Sequence, residues 1–378
     1  MQVVSLCPLR TGSMLWQVKR GAWALTVVCK ATFALHPVEA RLASEQEPPY
    51  EEDEYWNDDP ARSLHAPSDL VPFKPRADVL LVGSAFAPRG EAVRALTVRL
   101  VVADVDKSLE VVCDRIWTQE KLLAEGARFT KMPLRWERAA GGPDSANPIG
   151  VRVRDALPDI YGQIQLPNLQ PAGLRVGDPS DLIEPIGFGP IAPNWPPRTQ
   201  RLGRHAALWA RARRPLEPVP TDLDPAFFNS APQDQQTDFI RDNERIVLQN
   251  LHPEHPRLAT ALPGIHPVAF LERGEGVEEL GMTADTLWID TDRAVCTVTW
   301  RGRVDAPPQS GRVLIAMEGP GERLAWSDVE RLARRTGDFT DSSTVDMPEL
   351  VTTGATPVRK PASTAPKDPR RAPRPAAG

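Results

Sequence analysis

A mainly β protein is predicted, with antiparallel sheets packed in a sandwich-like way and wrapped by long Pro/Gly-rich loops. Three observations predict it. Runs rich in β-branched and aromatic side chains recur in both the first and the last third of the chain. Forty prolines in 378 residues oppose long regular helices, because proline fixes φ and removes a backbone donor. Between these runs, residues 140–244 are dominated by Gly, Asn and Pro turns, a length of irregular chain that is uncommon unless it is functional or wraps a core.

The elements follow in order. "WALTVVCKATFAL" near the N-terminus reads as a strand; its apolar run "AWALTVVC", preceded by Lys19 and Arg20 and followed by Lys30, is too short for a membrane span. "EPPYEEDEYWNDDP", Glu47 to Pro60, carries charges that repel in a packed core and reads as a surface loop, with Tyr50, Tyr55 and Trp56 as anchors. Residues 76–115 give three strand-like runs, joined by hairpin-like "PRGE" and "ADVDK" connections. In the second run Leu96, Val98 and Leu100 alternate with Ala95, Thr97 and Arg99, which suits an antiparallel sheet with one solvated face. "FTKMPLRWERA", 129–139, reads as a further strand. "RTQRLGRHAALWARARR", 198–214, spaces Leu202, Ala206 and Trp209 as a helix does. Its arginines, including Arg213 and Arg214, predict a salt-bridged face against the acidic loop at Glu51 to Asp59, or a site for an acidic partner.

From Arg245 the strand patterns resume, with a turn at "DTDR". "WSDVERLARR" is the clearest helix, with Ser327 and Glu330 as a capping box and Trp326 as its staple. The predicted organisation is one β-rich domain over 1–320, its strands in two sub-sheets (1–139 and 245–320) joined by irregular 140–244. A short helix and linker occupy 321–351. Residues 352–378 form a basic Pro/Ala-rich tail that is too polar to offset its conformational entropy and is expected to be disordered.

Charge and cysteine usage narrow the function classes. The net charge is −5, and the tail from Ala355 contributes six basic residues against Asp368, so the body is near −10 by subtraction. That balance argues against a nucleic-acid-binding body. Cys7, Cys29, Cys113 and Cys296 are widely spaced, without a CxxC pair, which suits neither a zinc knuckle nor a disulfide scaffold and fits a reducing cytoplasm. A cytoplasmic protein with no membrane association is expected.

The candidate chemical motifs do not cohere. "IGFGPIAP" lacks the helix N-terminus a phosphate loop requires, and its prolines remove donors. "NLHPEHP" offers His252, Glu254 and His255, but Pro253 interrupts the regular element that a metal pair rides on. No nucleophile elbow occurs. The expectation is a protein without catalytic residues, metal or cofactor. The stretch "DPAFFNSAPQDQQ", 224–236, is the most distinctive. Asp224 can cap a short helical turn opened by Pro225, and Phe227 and Phe228 point to different sides, one inward and one near the surface. Its carboxamides either pin the irregular segment to the core or recognise an extended peptide.

Several stretches taken in order resemble one bacterial family, the domain of unknown function 2169. They are "KATFAL", "PSDLVPFKPRADVLLVG", "FTKMPLRWERAAGGP", "NPIG", "LPNL", "GFGPIAPNWPPR", "DPAFFNSAPQDQQ" and "NLHPEHP". The resemblance covers most of residues 1–320. It implies an accessory role in type VI secretion: an adaptor or chaperone that loads an effector onto the secretion spike through contacts with the effector, a spike-tip protein, or both. It supplies no catalytic residues. Trp195, Phe227, Phe228, Asn229, Asp234, Gln235 and Gln236 are the candidate partner-binding residues. Two alternatives are a hydrolase or carbohydrate-active enzyme using Asp234 with His252 or His255, and a structural component of the secretion apparatus.

Overall fold

The computed structural model describes residues 1–152, 155–174, 176–179, 181, 183–209, 211, 217–274, 276–305, 307, 311–335 and 341–344. The expected tail, Arg213 and Arg214, and most of the linker after residue 335 lie outside these residues.

The fold is mainly β, built on three large sheets. The central sheet runs in the order Gln236–Thr237, Ala77–Val82, Thr283–Asp290, Val295–Asp305, Ala22–Ala34 and Arg10–Lys19, with Arg41–Leu42 pairing the end of Ala22–Ala34. Its neighbours are antiparallel except for Ala77–Val82 beside Thr283–Asp290. A second sheet, antiparallel throughout, orders Leu169–Pro171, Val105–Val112, Ala95–Val102, Arg245–Gln249 and Arg257–Ala261. The third orders Gly276–Leu280, His266–Arg273, Arg312–Glu318, Gln2–Ser5 and Asp341–Thr344. Early and late strands are thus mixed within every large sheet, and the expected sub-sheets over 1–139 and 245–320 are not separate. Local patterning marks a strand but carries no information on its neighbour.

One core joins the three sheets. Leu25, Val27, Cys29 and Phe33 meet Leu287, Ile289 and Val298 of the same sheet, Val98, Leu100, Leu109 and Ile246 of the second, and Val3, Leu271 and Val313 of the third. Burying each such aliphatic side chain contributes about 1.5–3 kcal/mol against leaving it exposed. The opposite face of Ala22–Ala34 is also buried, through Ala24, Thr26, Val28, Lys30 and Thr32. A strand covered on both faces reads as a continuous apolar run rather than an alternation, which explains "WALTVVCKATFAL". Irregular chain covers that second face. Thr26 Oγ1 donates to Pro72 O at 2.8 Å, Trp288 Nε1 to His65 O at 3.1 Å, and Arg301 Nη1 to Asp69 O at 2.8 Å.

Several expectations are corrected. "PRGE" forms a tight turn, but the strands beside it, Ser84–Phe86 and Ala95–Val102, enter different sheets. The "ADVDK" connection is a hairpin, with Val102 opposite Val105 and Ala103 at φ +52°. The 129–139 run keeps only Lys131–Pro133 as strand before a 3-10 turn at Trp136–Arg138. The helix expected over 198–214 breaks into turns at Pro196–Thr199, Gln200–His205 and Ala206–Trp209, because Gly203 adopts φ +51°. Arg201, Arg204 and His205 turn to nearer carboxylates rather than to the acidic loop: Arg201 to Asp224 at 2.8 Å, and Arg204 and His205 to Asp222. The acidic loop is anchored as expected, with Tyr50 6.3 Å from Trp288 and Trp56 in the same apolar cluster.

The helix Trp326–Arg335 forms, but Asp328 rather than Ser327 and Glu330 satisfies its start, accepting from Ala325 N at 3.1 Å. Glu330 pairs instead with Arg334 one turn on, at 2.7 Å. Trp326 packs on Phe270, 5.7 Å between ring centroids. Among the described residues no helix is long and apolar enough to cross a membrane.

Candidate functional site

The stretch 224–236 lies across the end of the central sheet beside Ala77–Val82. Asp224 Oδ1 accepts from Ala226 N at 2.9 Å and caps the 3-10 turn Pro225–Phe228, with Pro225 at its first position. Both phenylalanines are buried, contrary to the expected inward and outward pair. They pack on Trp209 with ring centroids 4.8 and 6.2 Å away, and Phe228 lies 5.1 Å from Phe73. A cluster with Trp16, Leu202, Val219 and Leu223 takes up both rings, so burial of the pair outweighs the local divergence of their side chains.

The amides that follow serve the protein's own chain. Asn229 Nδ2 donates to Arg76 O and to Asp78 Oδ1, both at 2.8 Å, and Ser230 N and Oγ bind the other carboxylate oxygen of Asp78. Gln235, fully buried, donates through Nε2 to Val79 O at 2.8 Å and Phe188 O at 2.9 Å while its Oε1 accepts from Lys107 Nζ at 2.9 Å. Gln236 Nε2 reaches Ala231 O at 2.9 Å. Trp195 is buried edge-on to Trp136, 6.0 Å between centroids. Of the seven candidate residues, Asp234 is the exposed one, at 59% of its side chain, and it pairs with Lys107 Nζ at 2.9 Å.

A chain of buried charges, not anticipated as a unit, organises this region. Lys74 Nζ meets Asp78 at 2.8 Å and Thr286 Oγ1 at 2.7 Å. Burial alone would raise the Asp78 pKa, but the Lys74 charge and the hydrogen bonds from Lys74, Ser230 and Asn229 hold it below the ordinary carboxylate value. Lys30 pairs with Asp69 at 3.0 Å beneath the Tyr50 ring, and Thr299 Oγ1 donates to the other oxygen of Asp69. Arg301 pairs with Asp285 at 2.5 Å. Burial lowers the Lys107 pKa, and Asp234 opposes the shift. The available sequence signal was a charge standing inside an apolar run, as in "VVCKATF" and "RADVLLV".

The other distinctive stretches also make internal joints. Asn147 Nδ2 donates to Trp136 O and Ala140 O, and Asn168 Nδ2 to Val112 O. A Cβ added at Gly187 would sit 3.2 Å from the Trp136 ring, whose Nε1 donates to Gly189 O at 3.1 Å. "IGFGPIAP" is therefore a tryptophan seat. His252 Nδ1 accepts from the amides of Glu254 and His255, both at 3.2 Å, so this ring nitrogen closes its own loop. Asp234 turns to Lys107 and His252 Nδ1 to the amides of its own loop, and among the described residues Asp234 shares no hydrogen bond with His252 or His255, the partners suggested for hydrolysis. Among the described residues no group of three or more His, Cys, Asp or Glu side chains could hold a metal ion.

Fold and site together define a β-rich protein whose irregular segments are stitched to the sheets by buried amides and ion pairs. The family model for an uncharacterized protein conserved in bacteria, DUF2169, matches residues 20–301, and the chain belongs to that family. No curated protein and no solved structure matches it.

Proposed function

We propose that this protein is a non-enzymatic adaptor or chaperone of type VI secretion that binds an effector, a spike-tip protein, or both, and helps load the effector onto the spike. The observation that carries the binding reading is a set of apolar side chains at the end of the small sheet Leu123–Glu125, Arg115–Trp117, Ile164–Leu166. Leu157 is 88% exposed, Ile160 90%, Tyr161 71% and Leu122 64%. The two loops that carry them adjoin, since a Cβ at Gly162 would lie 3.3 Å from the Gln119 side chain.

Both tips are held in shape. Asp159 Oδ1 accepts from the amides of Tyr161 and Gln163 at 2.8 and 2.9 Å, and Thr118 Oγ1 accepts from Leu122 N at 3.2 Å. An ordered exposed apolar group of this kind is characteristic of partner surfaces. The secretion context rests on the motif series that resembles the family. Pull-down with the host's type VI effectors and spike-tip proteins tests the reading. The full chain should capture at least one of them, and Ile160→Asp with Tyr161→Asp should abolish capture without lowering the melting temperature. Normal secretion of every effector by a deletion strain would sink the adaptor role.

A further inference from the structure

A cavity of about 360 Å³ opens beside the 224–236 stretch, and Arg198, Asn229, Gln233, Gln236, Pro197 and Ala146 contribute to its wall. Arg198 is only 7% exposed. Its Nε donates to Phe227 O at 3.1 Å and its Nη1 to Ile191 O at 3.0 Å. These bonds fix the guanidinium plane and leave Nη2 without a hydrogen-bond partner among the described residues. No carboxylate there forms an ion pair with it. Asp78, the nearby buried acid, is committed to Lys74, Asn229 and Ser230. The other charges of the wall are Arg201, which is paired with Asp224 at 2.8 Å, and Asp144.

A buried cation without a counter-ion is costly, and fully internal arginines are normally paired. Burial pulls the Arg198 pKa below its ordinary value, an effect that Asp53 and Asp78 oppose. Asn229 adds a second deficit in the same wall. Its Nδ2 is fixed by two acceptors, yet its Oδ1 is buried with no hydrogen-bond partner. The unpartnered Arg198 donor calls for an explanation, whereas the Asn229 oxygen is an acceptor that a carboxylate does not satisfy. The remaining polar lining, Ser145, Gln200, Gln233 and Gln236, is of the kind that recognises peptide backbone.

We propose that this cavity is a binding site for an acidic side chain on an extended peptide segment of a partner protein, with Arg198 Nη2 donating to the carboxylate. The guanidinium is held by main-chain carbonyls before the ligand arrives, so little side-chain freedom is lost on binding. The proposal deepens the partner-binding reading by naming the chemistry of one contact. It is separable from that reading, because the peptide assay needs only this chain while the pull-down reports on the loops at Leu122 and Ile160.

The test titrates the full chain with acetyl-Gly-Glu-Gly-amide, its Gln counterpart and free glutarate, followed by saturation-transfer NMR. The Glu peptide should bind roughly tenfold or more tightly than the Gln peptide, as a charge-assisted bond to guanidinium requires. Arg198→Met should remove the preference. Ala146→Trp, at an exposed rim position, should block the peptide while leaving both carbonyl bonds of Arg198 intact, and it decides the matter if Arg198→Met does not fold. Equal binding of the two peptides, or unchanged binding to Ala146→Trp, overturns the site. Glutarate binding as tightly as the Glu peptide overturns the peptide assignment in favour of a small free acid.

Discussion

Replacing Gln235 by alanine removes three hydrogen bonds from a fully buried position. Val79 O loses its 2.8 Å partner and Lys107 Nζ its 2.9 Å acceptor, though Lys107 keeps Gly187 O at 2.8 Å and Asp234 at 2.9 Å. Phe188 O loses a 2.9 Å bond but still accepts from Leu81 N at 3.3 Å. One orphaned buried group costs about 1–3 kcal/mol, and the partly satisfied groups cost less, so a total near 3 kcal/mol is expected. An unfolding entropy of about 2.1 cal/mol/K per residue over about 340 residues converts this to roughly 4 °C in melting temperature. Gln236, half-buried with a single bond to Ala231 O, should lose only about 0.5–1.5 kcal/mol, or about 1–2 °C, on the same substitution. Thermal unfolding followed by circular dichroism compares the two variants. A loss at Gln235→Ala no larger than at Gln236→Ala would falsify the view that this amide pins the irregular segment to the sheet.

Two further outcomes follow from the buried charges and the histidine loop. Lys74→Met leaves Asp78 fully buried without its cation, and urea unfolding should show a loss of about 3–5 kcal/mol, part of which Asp78→Asn in the same chain recovers. If Lys74→Met unfolds at the wild-type urea midpoint, the pair is not a stabilising element. Burial, and then the charge of His255, hold His252 below its ordinary pKa, and protonating Nδ1 would aim a donor at two amides. The folded state therefore favours the neutral ring: its contribution is complete above the unfolded value near 6.5 and is lost as pH falls from there through the depressed folded value. Urea midpoints between pH 7 and 5 should fall less for His252→Asn, whose carboxamide oxygen replaces the acceptor, than for wild type. Parallel curves would assign the acid sensitivity elsewhere.

Much of the fold was legible locally. The strands at Ala22–Ala34, Val105–Val112 and Val295–Asp305 announce themselves by side-chain type, and Asp224 before Pro225 announces its cap, because these depend on a few adjacent residues. The amide wealth of 224–236 was equally visible, but not its direction. Sequence patterning left open whether those carboxamides face the core or a partner. Lys107 and Gln235 are 128 residues apart, and their bond exists only because two different sheets bring them together.

Sequence by itself determined that the chain is β-rich, that its middle is irregular, and that "DPAFFNSAPQDQQ" begins with a capped turn. Tertiary structure alone decided which strands pair, that both phenylalanines are buried, and that Arg198 is internal without an ion-paired carboxylate among the described residues. The physical reason is range. Propensity and capping act within a turn or two of chain, whereas burial of a charge is set by segments that approach from far away in sequence. The same long-range packing that satisfies Asp78 leaves Arg198 facing a cavity.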